Sequence, residues 1–342
     1  MWEQPVSLVC YFLVAAIVVF LSIKLSNFVD LLDKKTKISG AFLGGILLAA
    51  VTSLPELFTS LTATLLLSNN KLVVGNILGS DIFNITLFVI IYIFFFKKLT
   101  ESKVSKAHLW SMLFIGLMYA SITLAAFVFN FNKILWGWFN PVSILIVVIY
   151  VFSIIKTPKI EEAEEKTTDS KLTVKQIVFW FVICSILLIG ASIGITYLTD
   201  WVVNNFNMGA TFGGALFLGV ATSLPEMTAT ITLSRKKNFN AAYGNILGSC
   251  VFNFIILALA DLLSFRAGPL YNFDESSFFL LILGSASIVI FLVSLLIQFS
   301  KKFKYTKSLR VIYICFAVLL LSSYVTYIVL SNINITLPFL HA

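Results

Sequence analysis

Residues 52–56 read Thr-Ser-Leu-Pro-Glu, and residues 222–226 read Thr-Ser-Leu-Pro-Glu again, each time inside a long apolar segment. Each copy is followed by Gly-Asn-Ile-Leu-Gly-Ser, at 75–80 and at 244–249. The first motif recurs after 170 residues and the second after 169, in a chain of 342, so the sequence reads as one half duplicated upon the other. An acid, a helix breaker and small polar residues recur in both halves, and that combination suits a cation site better than a packed core.

Working outward, 59% of the residues are hydrophobic, 12% are charged and 33 are phenylalanine. Mean hydropathy is +0.98. Such a chain has too little polar surface to cover a soluble globule and reads as an all-α integral membrane protein in a lipid bilayer. Cys10, Cys184, Cys250 and Cys315 lie in apolar stretches at unrelated spacings, which argues against a disulfide framework or a thiolate metal site. The net charge of +8 raises nucleic acid as a partner, but the placement of the basic residues gives a different explanation.

Apolar spans long enough to cross a bilayer, about 20 residues each, fall near 6–25, 38–67, 72–96, 107–128 and 134–155, then near 177–198, 209–233, 241–264, 276–299 and 309–330. With ten crossings, one side collects Lys34, Lys35, Lys37, Lys97, Lys98, Lys103, Lys106, Lys156, Lys159, Lys166, Lys171, Lys175, Arg235, Lys236, Lys237, Lys301, Lys302, Lys304, Lys307 and Arg310. The other side holds Lys71, Lys133 and Arg266, and Lys24 sits at the inner end of span 1, where it can snorkel. This asymmetry predicts ten transmembrane helices with both termini outside, in a cell membrane. The segment before span 1 carries Glu3 and no Lys or Arg, so a cleaved signal peptide is not expected.

Three units follow: a five-helix repeat over 1–155, a charged inner linker over 156–176, and a second five-helix repeat over 177–342. Five is odd, so the second repeat enters with the opposite orientation and the halves are expected to be inverted repeats, as in secondary transporters with a midplane site. The linker acids Glu161, Glu162, Glu164, Glu165 and Asp169 lack the alternate spacing of a calcium loop and read as a solvated linker.

Glu56 and Glu226 lie deep in their spans, where an acidic side chain costs about 2.5–3.5 kcal/mol on insertion scales. Converging carboxylates would repel, and one divalent cation, two monovalent cations or protons would relieve that repulsion, which is what an antiporter requires. Pro55 and Pro225 have no N–H, so backbone oxygens near Thr52 and Thr222 should be free of helix bonding and available to a hard cation. The span over 38–68 is long enough to need a bend or a tilt. Ser80 and Asn84 share one helix face, as do Ser249 and Asn253, and offer neutral oxygens. Gly75, Gly79, Gly244 and Gly248 form small-xxx-small pairs suited to close helix packing.

In these two motif pairs the chain resembles the calcium:cation antiporters, specifically the sodium/calcium exchanger branch. That branch carries a Gly-or-Thr-Ser-x-Pro-Glu element on helices 2 and 7 and a Gly-Asn-x-x-Gly-Ser element on helices 3 and 8. The resemblance covers nearly the whole chain, and the proton-coupled branch's Gly-Asn-Ala-x-Glu is found in neither repeat. It implies calcium between the carboxylates of Glu56 and Glu226 and the carbonyls of Thr52 and Thr222. It also implies sodium at those acids plus Ala49, Ser53, Ser80, Asn84, Gly219, Ser223, Ser249 and Asn253. By the same analogy helices 1 and 6 slide past the other eight, with Gly190, Ala191, Ser192 and Gly194 on the sliding face. The implied activity is calcium:sodium antiport, with a proton-driven exchanger of calcium or another divalent cation as the alternative.

Exchangers of that branch commonly have Asp where this chain has Asn253, which leaves two acids and puts the driving ion and its stoichiometry in question. Asp81, beside Ser80, has Cys250 as its counterpart and is expected to make a helix-orienting hydrogen bond, or to stand in for the missing charge. Asp261 is expected to pair with Arg266 or sit at the interface, or else to line an outer vestibule. His108 and His341 show no ligand spacing. No enzyme motif such as His-Glu-x-x-His is present, and a channel would not need two helix-breaking motifs. The expected partners are calcium and sodium ions and lipid, with no cofactor, no nucleic acid and no obligate protein partner.

Overall fold

The computed structural model describes residues 3–36, 42–102, 104–128, 138–156, 170–206, 210–265, 270–271, 273–299 and 307–332. The first half contains α1 (Glu3–Lys35), a π-helical turn (Leu43–Leu48), α2 (Ala49–Thr52), α3 (Leu54–Leu65), α4 (Asn70–Thr100), α5 (Ala107–Val128) and α6 (Pro141–Lys156). The second contains α7 (Val174–Asn205), α8 (Ala210–Gly213), a second π-helical turn (Gly214–Leu218), α9 (Gly219–Arg235), α10 (Phe239–Leu263), α11 (Glu275–Phe299) and α12 (Lys307–Asn332). Among the described residues, eight helical segments are long and apolar enough to cross a membrane. The pair Gly44–Thr52 and Leu54–Leu65, bent by 45°, makes a ninth if counted as one span, and Pro141–Lys156 is apolar but shorter.

Burial ranks these helices. In α4 and α10, 72% of the apolar stretch is buried, against 22% in α7 and 17% in α12, so α4 and α10 form the centre and the latter two lie at the periphery. The central helices begin with the same device. A residue of positive φ, Ser68 or Lys237, reverses the chain, and the next residue caps the helix. The Asn69 side chain accepts from Leu72 N at 3.2 Å, and the Asn238 side chain accepts from Ala241 N at 3.3 Å.

The middle of the protein is packed backbone to backbone. A Cβ at Gly75 would overlap the Thr211 carbonyl, and one at Gly248 would overlap the Gly45 carbonyl. A Cβ at Gly79 would likewise overlap Ala215, so the π-helical turn of each half is seated on the central helix of the other half, the geometry that small residues at matched spacing permit.

Two sequence expectations are corrected here. Pro55 does open the helix, because Ser53 has φ −88° and ψ 7° and the chain bends there. Pro225, however, lies within the continuous helix α9, and the irregular backbone of the second half is the π-helical turn preceding it. Second, a Cβ at Gly190 or Gly194 would have nothing within 4 Å, so these glycines make no tight helix contact. The face that α7 turns to the protein instead carries Ser192, Ile195, Thr196 and Thr199, all buried, with Ala191 partly buried beside it.

At one end of the bundle Asp30 receives Lys34 at 3.0 Å and Lys236 at 2.7 Å, while Lys35 donates to the carbonyls of Ser170 and Leu172. Lys71 lies 3.5 Å from Asp274. Residues 157–169, most of the linker, are outside the described residues, as are Arg266 and His341.

Candidate functional site

The bend at Ser53 and the π-helical turn before Gly219 bring the two Thr-Ser-Leu-Pro-Glu motifs face to face. Glu56 and Glu226 are both fully buried. Each is held by the serine of the opposite motif: Ser53 Oγ donates to Glu226 Oε1 at 3.0 Å, and Ser223 Oγ donates to Glu56 Oε1 at 3.3 Å. Ser249, one helical turn before Asn253, also donates to Glu226 Oε1, at 3.2 Å. Its counterpart Ser80 departs from this pattern and donates to the Gly219 carbonyl at 3.1 Å. Ala49 and Gly219 are buried beside these groups.

A second crossed pair lies behind the acids. Thr52 Oγ1 donates to Asn245 Oδ1 and Thr222 Oγ1 to Asn76 Oδ1, each at 3.2 Å. Asn76 Nδ2 in turn reaches Thr59 Oγ1 at 3.1 Å, and Asn245 Nδ2 reaches Thr230 Oγ1 at 3.1 Å. Asn76 and Asn245, whose roles the sequence alone leaves unassigned, each occupy the second position of Gly-Asn-Ile-Leu-Gly-Ser. Their recurrence was the available signal. The Gly-Gly pairs 44–45 and 213–214, at or just before the π-helical turns, were the corresponding signal for those turns.

The unpaired atoms define what the site can hold. Glu56 Oε2, Glu226 Oε2, both polar atoms of Asn84, and Asn253 Oδ1 are buried without a hydrogen-bond partner. Among the described residues no Lys or Arg pairs with either glutamate. Two carboxylates buried together without a cation are costly, and a cation bound to their free oxygens would offset that cost. The available donors are carboxylate, amide, hydroxyl and carbonyl oxygens, which suit hard cations. No cluster of three or more His, Cys, Asp or Glu placed to hold a metal ion occurs among the described residues.

The remaining candidates fall into place differently. Asp81 is fully buried and makes the hydrogen bond expected of it, accepting from Asn253 Nδ2 at 2.8 Å and from Tyr119 Oη at 3.3 Å. Asp261 does not sit at an exposed interface: it is buried, and its Oδ2 accepts from Asn140 N at 2.8 Å and Ser143 Oγ at 2.7 Å, which anchors the start of α6. His108, assigned nothing from sequence, is buried and stacked on Tyr243 with ring centroids 5.1 Å apart. A cleft lined by Gly45, His108, Ser111, Tyr150, Ser153 and Gly248 opens beside α10, and neither glutamate lines it.

The profile of the Sodium/calcium exchanger protein family matches residues 6–156 and 176–332, and the chain belongs to that family. It is 28% identical over 218 residues to the Inner membrane protein YrbG of Escherichia coli (strain K12), covering 60% of this chain and 64% of that one. It is 25% identical over 274 residues to the Sodium/calcium exchanger MaX1 of Methanosarcina acetivorans, covering 67% of this chain and 75% of that one. Among solved structures, the H+/Ca2+ exchanger CAX superposes with a TM-score of 0.64 at 15% identity, covering 95% of this chain and 90% of that one. The sodium-calcium exchanger NCX_Mj superposes with a TM-score of 0.60 at 17% identity, covering 92% and 97%. Both superpositions speak to the fold.

Proposed function

We propose that this protein is a secondary antiporter that moves calcium in exchange for sodium, with both ions using the pocket between Glu56 and Glu226. The observation that carries this reading is the pair of buried carboxylates, cross-braced by Ser53 and Ser223, each with its Oε2 unpartnered. One calcium neutralises both charges, as do two sodium ions, so either load relieves the same repulsion and one displaces the other. Thr52 and Thr222 add backbone oxygens to calcium. Ala49, Ser53, Ser80, Asn84, Gly219, Ser223, Ser249 and Asn253 complete the sodium positions. Calcium fits this loose oxygen set better than magnesium, which demands a tight octahedron.

The chain crosses the membrane ten times, as two inverted five-helix repeats joined by the inner linker. The bent pair at Ser53 counts as one crossing and Pro141–Lys156 as another. Crossed hydrogen bonds between matching residues of the two halves support that arrangement. α1 and α7 pack against each other and form the moving unit. Four of their buried hydroxyls are satisfied within their own helices, Ser22 on the Val18 carbonyl, Ser26 on Ser22, Ser192 on Leu188 and Thr196 on Ser192, whereas Tyr11 of α1 donates to the Phe217 carbonyl at 2.6 Å. None of these four hydroxyls is tied across the interface, so a shift of the unit leaves their bonds intact and breaks the one from Tyr11 to Phe217.

The alternative driving ion is the proton, which Glu56 and Glu226 would also accept. Uptake of radioactive calcium into proteoliposomes with imposed sodium, potassium or proton gradients separates the two readings. A sodium gradient alone should drive calcium movement. Calcium movement driven only by protons would favour the alternative, and no driven movement by any gradient would refute antiport.

A further inference from the structure

The environment of Asp81 points beyond the two glutamates. We infer that Asp81 is a positioning residue for the cation site, acting through Asn253, whose amide it turns so that the side-chain oxygen is left for a cation. This rests on the functional reading above.

The argument begins with the chemistry of an amide. An asparagine side chain has one oxygen that can ligate a cation and one NH2 group that cannot, and nothing intrinsic to Asn253 decides which of them a cation would meet. An ionised carboxylate accepts hydrogen bonds and donates none. Asp81 Oδ1 takes Asn253 Nδ2 at 2.8 Å, which fixes the amide with its NH2 toward α4. The opposite atom, Asn253 Oδ1, is left buried and without a partner. Asn253 stands one helical turn beyond Ser249, whose hydroxyl is on Glu226. A free, correctly turned carbonyl oxygen thus lies on the helix face that carries the glutamate's serine.

Asp81 is itself held in place. Tyr119 Oη donates to its Oδ2 at 3.3 Å, and Tyr119 is pinned because its hydroxyl fills the space where Gly284 has no side chain. Cys250 is the third neighbour. Among the described residues no Lys or Arg pairs with Asp81, so the Asn253 amide and the Tyr119 hydroxyl are what hold it. The counterpart position in the second half is Cys250, so the charge occurs once, in the first half, and meets the one asparagine that stands opposite it.

The test is calcium efflux from proteoliposomes, measured against the concentration of the driving monovalent cation and, separately, of calcium. Asp81→Asn removes the charge and lets the Asn253 amide turn either way. The half-saturating monovalent concentration should rise about tenfold or more, on the scale of a lost charge-assisted hydrogen bond, while half-saturation by calcium changes less than about threefold. The double variant Asp81→Asn/Asn253→Asp moves the carboxylate to the other side of the same contact and should restore the monovalent dependence to within about threefold of the parent. Asn253→Ala should reproduce the monovalent defect without touching Asp81, which keeps the inference testable even where Asp81→Asn does not fold. Parental monovalent dependence in either Asp81→Asn or Asn253→Ala would overturn the inference. So would an equal loss in both half-saturation values that the double variant fails to reverse, which is the mark of a merely structural residue. Absence of calcium movement in the parent would instead overturn the functional reading and this inference together.

Discussion

Ser53 in the first half donates a 3.0 Å hydrogen bond to Glu226 in the second, and this contact ties the acid of one motif to the backbone bend of the other. With its partner, Ser223 to Glu56, it makes the site a joint product of the two halves. Neither glutamate is positioned by its own motif alone.

Ser53→Ala should therefore weaken the site through Glu226 while leaving the carboxylate in place. A hydrogen bond to a charged group contributes about 1.5–3 kcal/mol, so the apparent calcium affinity should fall roughly ten- to a hundredfold, with Ser249 as the remaining donor. Ser53→Thr keeps a hydroxyl and should retain more of the affinity. The concentration dependence of calcium exchange measures both, and equal affinities for parent and Ser53→Ala would show that the contact is idle.

The backbone contact between Gly248 and Gly45 makes a prediction about stability. Gly248→Val would force α10 off the first π-helical turn, and overpacking of a close contact costs about 1–3 kcal/mol or more. Gly190→Val, whose added atoms meet open space, is the matched comparison. Thermal unfolding in detergent should show a lowered midpoint for the first variant and a small change for the second.

Asp261 should prove a structural anchor. Asp261→Ala leaves the Asn140 N–H without its acceptor and leaves the Ser143 hydroxyl with Tyr271 alone, at a cost of about 1–3 kcal/mol. Thermal stability should drop while the ratio of calcium to monovalent half-saturation stays at the parental value. A changed ratio would place Asp261 on the ion route after all.

Topology can be read with an impermeant thiol reagent on intact cells. Cys10 and Cys315 are exposed and Cys184 partly so, and they should first be replaced, whereas buried Cys250 can stay. A cysteine at Asn205 should then be labelled and one at Arg235 should not. The reverse pattern would contradict the positive-inside assignment and the ten-crossing arrangement built on it.

Much of this was legible in the sequence because duplication repeats its signals. Two copies of an acid beside a proline in an apolar span pointed to Glu56 and Glu226 as a pair, and matched glycines pointed to close helix packing. The hidden part was that which depends on who faces whom. Asn76 and Asn245 lie within the recurring motif, yet their partners Thr222 and Thr52 come from the opposite half and are known only from the fold. Asp261 bonds Asn140 and Ser143, more than a hundred residues distant in sequence, while Arg266 lies outside the described residues. Proline was read as the breaker in both halves, whereas helix α9 accommodates Pro225 and the irregular turn forms upstream at Gly214–Leu218. Small residues on α7 suggested a contact face, but Gly190 and Gly194 point away from the contact that Ser192 and Thr196 join.

The central claim is that calcium is carried between Glu56 and Glu226, and the most direct measurement is calcium exchange by purified Glu56→Gln and Glu226→Gln in proteoliposomes, with folding checked by monodispersity and thermal unfolding. Each substitution keeps the side-chain shape and removes one of the two buried charges. Both variants should fold and both should lose exchange to background. Near-parental calcium exchange by either folded variant would contradict the account.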